Sequence, residues 1–583
     1  EPLLVIDGVA YDSFRELRLL NPSDIDNISF LKDAAAAIYG SRAAGGVMLV
    51  TTKKAKAGKA KVEFNTLYTR RETGLQPRLM SMDEWAAGVL EARTNDGFGA
   101  DDVWVRYANL ALANKGGFID ARDLANAPIP GAFLDVKDFV FLDNNWTDIL
   151  WGGANSTQND LSISGRGEKS GYRLSLGYLY DGGTLRYGNN NNKRYNIRLN
   201  NDFQVSDRFS VESVIAYSLQ DQVSPTMIGN VLGQGYPQPG FPSETLNGKP
   251  YAWGGQYSPN GFAEYGGDNR LKVGAINVSE TLRYKIIDGL QVISNLGFNT
   301  STAIRDMQQN NIQWFNYKGD LLIQNNPTQP NSYYQKSTAK TDFYSASAYL
   351  QYNKRIQRAH NIGATLGGQY EFRDYDYYLT KIMDINSSLS AINGTGVITS
   401  DKDRNQYAMG SYFGRVNYDY NSKYLLEANG RYDGSSKFDR VNRWNFFYGF
   451  SGGWRISEES FVKELGIFNE LKLRASYGIV GNQLGVDNYD GQQLYNQNTG
   501  TGPYLGSGKT SYITTNGRLV SYDRTWERIH NYNLAVDFAL LNNRLSGTLE
   551  RFIKKNNNMF LEQQYPAMLG ATAPQGNIGK VKS

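Results

Sequence analysis

Two-residue alternation of apolar and polar side chains, sustained over about fifteen successive segments, limits what this chain can fold into more than any other feature. In 172–180 one face holds Tyr172, Leu174, Leu176, Tyr178 and Tyr180; the other holds Arg173, Ser175 and Gly177, with Leu179 as an exception. Tyr195, Ile197, Leu199 and Phe203 oppose Arg194, Asn196, Arg198, Asn200 and Asp202. Leu471, Leu473, Ala475 and Tyr477 oppose Lys472, Arg474 and Ser476, and Tyr532, Leu534, Val536 and Phe538 oppose Asn533, Ala535 and Asp537. A period of two belongs to the β-strand, whose successive side chains point to opposite faces. The pattern predicts strands near 61–70, 157–166, 171–181, 192–204, 208–221, 271–285, 290–302, 338–354, 360–378, 404–419, 423–433, 443–456, 470–480, 525–540 and 544–555, with almost no helix between them.

A soluble sandwich also alternates, so the connections have to discriminate. They alternate in length. Residues 71–156, 182–191, 222–270, 303–337, 379–403, 434–442, 481–524 and the stretch after 555 belong to one set, mostly long; 167–170, 205–207, 286–289, 355–359, 420–422 and 541–543 belong to the other, nearly all tight turns. The exception in the short set, 457–469, reads as one or two helical turns. Outer-membrane barrels have short turns on one side and longer loops on the other, and closing a sheet removes its unpaired edges. In such a barrel, lipid takes the apolar face and a wet lumen takes the polar one.

Composition fits that reading. No stretch of about 18 apolar residues is present, so no transmembrane helix is expected. The chain carries 40 Tyr, 26 Phe and 9 Trp; rings with a polar tip suit membrane–water interfaces. The net charge of +4 comes without a basic block, which argues against a nucleic-acid partner. With no cysteine, there is no disulfide frame, thiolate metal site or thiol nucleophile.

Residues 1–60 read differently, as a small α+β unit: Leu3 to Val9, then NPSDIDNISFLKD, then AAAAIYGSRAAGG, then a β-branched strand from Val47 to Thr52. PLLVIDGV (2–9) and LNPSDIDNISFLKDAAAAIYGSRAAGGVMLVTTKK (20–54) resemble the C-terminal half of the plug in SusC-like (RagA-type) TonB-dependent transporters. The residues that carry the resemblance are Asp7, Gly8, Lys32, Asp33, Tyr39, Gly40, Ser41 and Arg42; Gly45 stands where the family often has Asn. RYDGSSKF (431–438), WRISEE (454–459), LKLRASYGIVGNQ (471–483), the segment 526–555 and NIGKV (577–581) resemble the family's barrel segments.

The resemblance implies an all-β fold, a large antiparallel transmembrane β-barrel of about 22 strands with a small α+β plug inside. About fifteen of the strands fall within this chain. It divides the chain into 1–56, the C-terminal half of a plug, and 57–583, the N-terminal two-thirds of a barrel. The first half of the plug, the TonB-contacting segment and the remaining strands are expected outside it. It further implies TonB-dependent import of an oligomeric nutrient across the outer membrane of a Gram-negative bacterium. The expected partners are a SusD-like surface lipoprotein, the TonB–ExbB–ExbD complex and outer-membrane lipid, with a dimer of transporter–lipoprotein pairs as a further possibility. Oligosaccharide is the leading cargo expectation and oligopeptide the alternative; a siderophore or cobalamin receptor and a passive porin stand behind them. No cofactor is expected.

Candidate residues follow at two levels. No catalytic set emerges, since the only two histidines, His360 and His530, sit at a presumed turn and a strand start, with no nucleophile placed beside either. Asp401 and Asp403 form an acidic pair near a loop end, more simply read as solvated than as a calcium site. Asp7, Lys32, Asp33 and Arg42 are candidates to fix the plug or clamp it to barrel-wall residues such as Arg431 and Asp433. A plug that must move is better held by polar contacts. In the outer loops, Trp253, Tyr257, Tyr265, Trp314, Tyr333 and Tyr334 look exposed. They are candidates for stacking on cargo, with packing of the loops against themselves as the competing account.

Overall fold

The structure is a computed structural model. It describes residues 2–11, 13–31, 39–40, 42, 45–74, 78–120, 138–234, 236–253, 255–323, 332–386, 394–498, 502–506, 508–515, 519–562, 564–566, 568 and 572–583.

The first unit is a four-stranded sheet in the order Val9–Tyr11, Leu3–Ile6, Val47–Thr52, Ile25–Leu31. Leu3–Ile6 runs parallel to Val47–Thr52, and the other pairs are antiparallel. Asp7 and Gly8 make the two-residue turn between the first strands, with φ of 49° and 84°. Asp-Gly is suited to that left-handed pair, which matches the twist of a tight hairpin. One face of the sheet buries Leu3, Val5, Ala10 and Val47; the other buries Leu4, Ile6, Val9, Tyr11 and Val50 against Leu20.

The second unit is one sixteen-stranded sheet in which consecutive strands pair antiparallel. Its strands are Gly58–Arg71, Ala154–Arg166, Ser170–Gly182, Asn191–Gln204, Phe209–Pro225, Asp268–Ile287, Leu290–Gln309, Tyr333–Ile356, His360–Met383, Ile398–Tyr420, Tyr424–Ser435, Trp444–Arg455, Phe468–Asn482, Glu527–Leu540, Leu545–Glu562 and Gln575–Lys582. Several run further toward the long connections than alternation predicts; the strand expected at 338–354 is Tyr333–Ile356. Alternation also weakens at Gln575–Lys582, which the periodicity does not single out.

Side-chain exposure fixes which face is which. Tyr195 and Ile197 are 43% and 49% exposed, while Asn196, Arg198 and Asn200 are 8%, 8% and 7% exposed. The polar side chains are the covered ones, so the apolar face looks outward. The small unit touches both Asp160, through Asn21, and Val480, through its sheet. Their strands lie eleven positions apart in the sheet order. Flat, those positions would be roughly 50 Å apart; the wall therefore curls around the small sheet, which sits in its bore.

The outward face also marks the bilayer. Tyr412, Tyr432 and Trp444 stack toward the long-loop ends of their strands, and Tyr420, Tyr424 and Trp454 stack at the short-turn ends. Tyr412 and Tyr420 are roughly 26 Å apart along the tilted strand, on the scale of the apolar band of about 25 Å. Beyond the outer girdle the same face turns ionic, with Arg404 2.9 Å from Asp374 and Lys340 2.8 Å from Asp342. The strands therefore rise well above the lipid.

Two expectations about the connections are corrected. The linker after the first barrel strand holds two long helices, Met82–Asn95 and Val103–Ala113, and a short one, Trp146–Leu150. Ser81 and Glu84 form a reciprocal capping box on the first, and Asp102 caps the second. The local signals were present but lay in a segment without a two-residue period. Three of the six outer-loop rings are not open to water either. Trp253, Tyr257 and Trp314 are 6%, 4% and 0% exposed, inside a core to which four connections contribute, with Met82, Tyr107 and Trp146 from one, Leu185 from the next, Phe241 and Phe262 from the third and Ile312 from the fourth. Trp314 lies 4.9 Å from the Tyr257 ring and 5.0 Å from Phe262. Burying each ring is worth about 2–3 kcal/mol, which is why the loops fold onto one another. The exception in the short set is helical, as expected, over Ser460–Lys463.

Candidate functional site

The seat of the small sheet is built from inward-facing residues of neighbouring strands; polar contacts are spread across it, beside smaller apolar ones at Val480 and where Leu19 meets Val273 and Ala275. Asp7, at the tip of the first hairpin, accepts from Thr52 N and Thr52 Oγ1, each at 2.8 Å, and lies 3.4 Å from Arg198 Nη1. The carboxylate thus ties the turn to the closing strand and both to the wall. One pair along, Asn200 Nδ2 donates to Thr52 Oγ1 and to Lys53 O, both at 2.9 Å. Arg42 donates to Glu371 Oε2 at 2.7 Å and to Tyr11 O at 2.6 Å. Asn21 Nδ2 donates to Asp160 Oδ1 at 2.7 Å, and Ser23 Oγ donates to the other oxygen of that carboxylate. Arg15 Nη1 donates to Ser301 Oγ at 2.9 Å, and Lys54 reaches Glu212 at 2.8 Å.

Arg431 and Asp433 pair with each other at 2.6 Å and are almost wholly buried. Gly40 lies directly on them: a Cβ there would collide with Arg431 Nε, and its φ is +81°. Only glycine accommodates both the approach and that backbone. Lys32 and Asp33 lie outside the described residues.

Two carboxyl groups of the small unit are buried in the seat. Burial holds Glu16 above the usual carboxylate range, against the opposing pull of Asn277 and Asn299 side chains and Arg15. Burial likewise raises Asp24, against Ser175, Arg198 and Arg173. Sequence reasoning missed Glu371, Asp160, Asn277 and Ser301. All four are inward-facing polar residues of strands, so parity was their one signal, and parity does not say which inward position meets the plug.

The remaining ring candidates stand apart. Tyr265 is 40% exposed. Tyr333 is half-buried and donates to the Met307 sulfur at 3.2 Å, with Lys381 Nζ 4.0 Å from its ring centre. Tyr334 donates to Asp306 at 2.6 Å. His360 and His530 each share a hydrogen bond with a tyrosine hydroxyl, Tyr418 and Tyr477, at 2.8 and 3.0 Å. Among the described residues no three His, Asp or Glu side chains converge as a metal site.

A family model described as "TonB dependent receptor-like, beta-barrel" matches residues 223–583, and one described as "TonB-dependent Receptor Plug Domain" matches residues 1–47. TonB-dependent receptor P26 of Formosa agariphila is 29% identical over 611 aligned positions, covering 100% of this chain and 55% of that protein. TonB-dependent receptor SusC of Bacteroides thetaiotaomicron is 27% identical, covering 100% and 56%. The chain thus spans about half the length of the curated relatives it matches. The solved RagAB peptide transporter superposes with a TM-score of 0.81 at 23% identity, over 100% of this chain and 64% of that one. A ferric enterobactin receptor from Pseudomonas aeruginosa superposes with a TM-score of 0.54 at 13% identity, over 100% and 69%. These structural likenesses speak for the fold.

Proposed function

The chain belongs to the TonB-dependent receptors, of the SusC-like type with plug and outer-membrane β-barrel, and from that premise we propose that the whole protein imports an oligomeric nutrient by drawing the plug aside. The observation that carries this reading is the chemistry of the seat. Asp7–Arg198, Arg42–Glu371 and Asn21–Asp160 are polar contacts that water can replace as they part. An apolar seat of the same area would resist a modest pull, because separation would expose hydrocarbon to water. The energy comes from the inner-membrane TonB–ExbB–ExbD complex, and a SusD-like lipoprotein presents the cargo at the outer mouth. Residues 1–56 act as plug and 57–583 as barrel, with Asp7, Arg42, Arg431 and Asp433 in the clamp.

Oligopeptide is the cargo we favour over oligosaccharide. Three of the six rings expected to stack on sugar, Trp253, Tyr257 and Trp314, are consumed by the loop core, which leaves Tyr265, Tyr333 and Tyr334 outside it. The lumen wall above the plug instead presents charges of both signs, Arg305 on one strand and Asp401 and Asp403 on another. The same fold serves peptide in the RagAB transporter. Full-length transporter with its lipoprotein, offered peptide and glycan libraries, is expected to retain peptides; retention of glycans alone overturns the cargo reading. Uptake that continues in cells lacking TonB overturns the transport reading.

A further inference from the structure

The register of four neighbouring strands carries a more specific statement about that cargo, one that rests on the oligopeptide reading. Side-chain parity in this part of the wall is set by contacts already described. Ser301, Glu371 and Arg431 all face the bore, since they bond the plug or lie against it. Pairing from Leu290–Gln309 through Tyr333–Ile356 and His360–Met383 to Ile398–Tyr420 is unbroken by bulges. Odd-numbered residues of all four strands therefore face the lumen. The outward, even-numbered positions confirm it, with Arg404 paired to Asp374 on the far face.

Arg15 of the plug meets the wall at Ser301, which marks the floor. Four residues further along that strand is Arg305, and the rung at that height runs Arg305, Ser337, Leu379, Asp401 as direct cross-strand partners. The rung beneath it ends on Asp403 beside Tyr377. Arg305, Asp401 and Asp403 are exposed to the bore, and among the described residues none of them has an ion-pair partner. Between the cation and the two anions the wall is low next to Arg305, at Ser337 and, one rung down, Ala339, and then rises at Leu379 and Tyr377, which stand beside Asp401 and Asp403.

Three strand-to-strand steps separate Arg305 from Asp401, roughly 14 Å along the wall. An extended peptide advances 3.3–3.4 Å per residue, so about four residues cover the same span. We propose that this stretch of wall is a cargo subsite that reads charge spacing. It takes an extended oligopeptide with a cationic group on Asp401 and Asp403 and an anionic group about four residues away on Arg305, its backbone lying over Ser337 and Ala339.

The test uses full-length transporter with its lipoprotein and fluorescent host peptides blocked at both ends. Each peptide carries one Lys and one Glu, placed two, four or six positions apart. Wild-type protein binds the four-apart peptide most tightly, and replacing its Lys or its Glu by Gln weakens binding about fivefold each, as for a partly exposed ion pair. Arg305→Gln cancels the advantage of Glu and leaves that of Lys. The double change Asp401→Asn with Asp403→Asn does the reverse. Equal binding at all three spacings, or variants that lower affinity for every peptide alike, overturns the subsite while leaving peptide import standing. Binding of glycan with no binding of any peptide overturns both.

Discussion

Asp7 does three jobs with one carboxylate. It occupies a left-handed turn position, closes the hairpin onto Thr52, and faces Arg198 across the seam. Asp7→Ala would strand a nearly buried guanidinium, a class of change that costs 3–5 kcal/mol when the pair is fully enclosed; at 3.4 Å a loss of about 3 kcal/mol in plug seating is expected. Asp7→Asn retains the turn and part of the Thr52 bonding and should cost about half that. The urea concentration at which full-length protein in a planar bilayer begins to conduct measures both. Glu16 makes a prediction of the opposite electrostatic sign. Its carboxyl is held above its usual range by burial, so the seated plug binds a proton that the released plug does not. That contribution is complete below the ordinary carboxylate value and is lost as pH rises through the raised one. The conducting midpoint should therefore need less urea at about pH 8 than at about pH 5, and Glu16→Gln should flatten the difference. A steeper dependence in the variant would contradict this account.

At the scale of the element, one strand shows how a barrel assigns its two faces. Ile398–Tyr420 sends Ser411 to Arg431 inside and puts Tyr412 and Val416 against lipid. Val416 sits between the two aromatic girdles, at the depth where an arginine on the lipid face costs about 2–4 kcal/mol. Val416→Arg is expected to lose that much in a folding titration into lipid vesicles. Lys340→Gln, which breaks an exposed outward pair above the girdle, is expected to cost no more than about 0.5 kcal/mol. Equal losses at the two positions would mean that the bilayer has been placed at the wrong height. Alternation made these strands legible because it is a local property, set by pleat and solvent on each face. The two loop helices were not legible the same way, since Met82–Asn95 buries only Met82 and Ala86 fully and so has a weak apolar stripe.

For the whole molecule, function depends on two bodies that must be held together and must also part. The absence of cysteine offers a clean way to test this. Ser23 and Asp160 are hydrogen-bonded partners on the plug and the wall. Replacing both by Cys should give an oxidised protein that binds cargo but does not import it, and reduction should restore uptake; import by the oxidised form would mean that this seam never opens. The amino-acid sequence by itself determined the strands, their order, their lipid and lumen faces and the separateness of the first sixty or so residues, because period, turn chemistry and loop length are written within a few positions of each other. Only the tertiary structure decided which inward residues grip the plug. Arg42 and Glu371 are 329 positions apart, and nothing local distinguishes Glu371 from the other polar residues on its face. It likewise decided that Trp314 fills a core, because that core exists only where four loops distant in sequence meet.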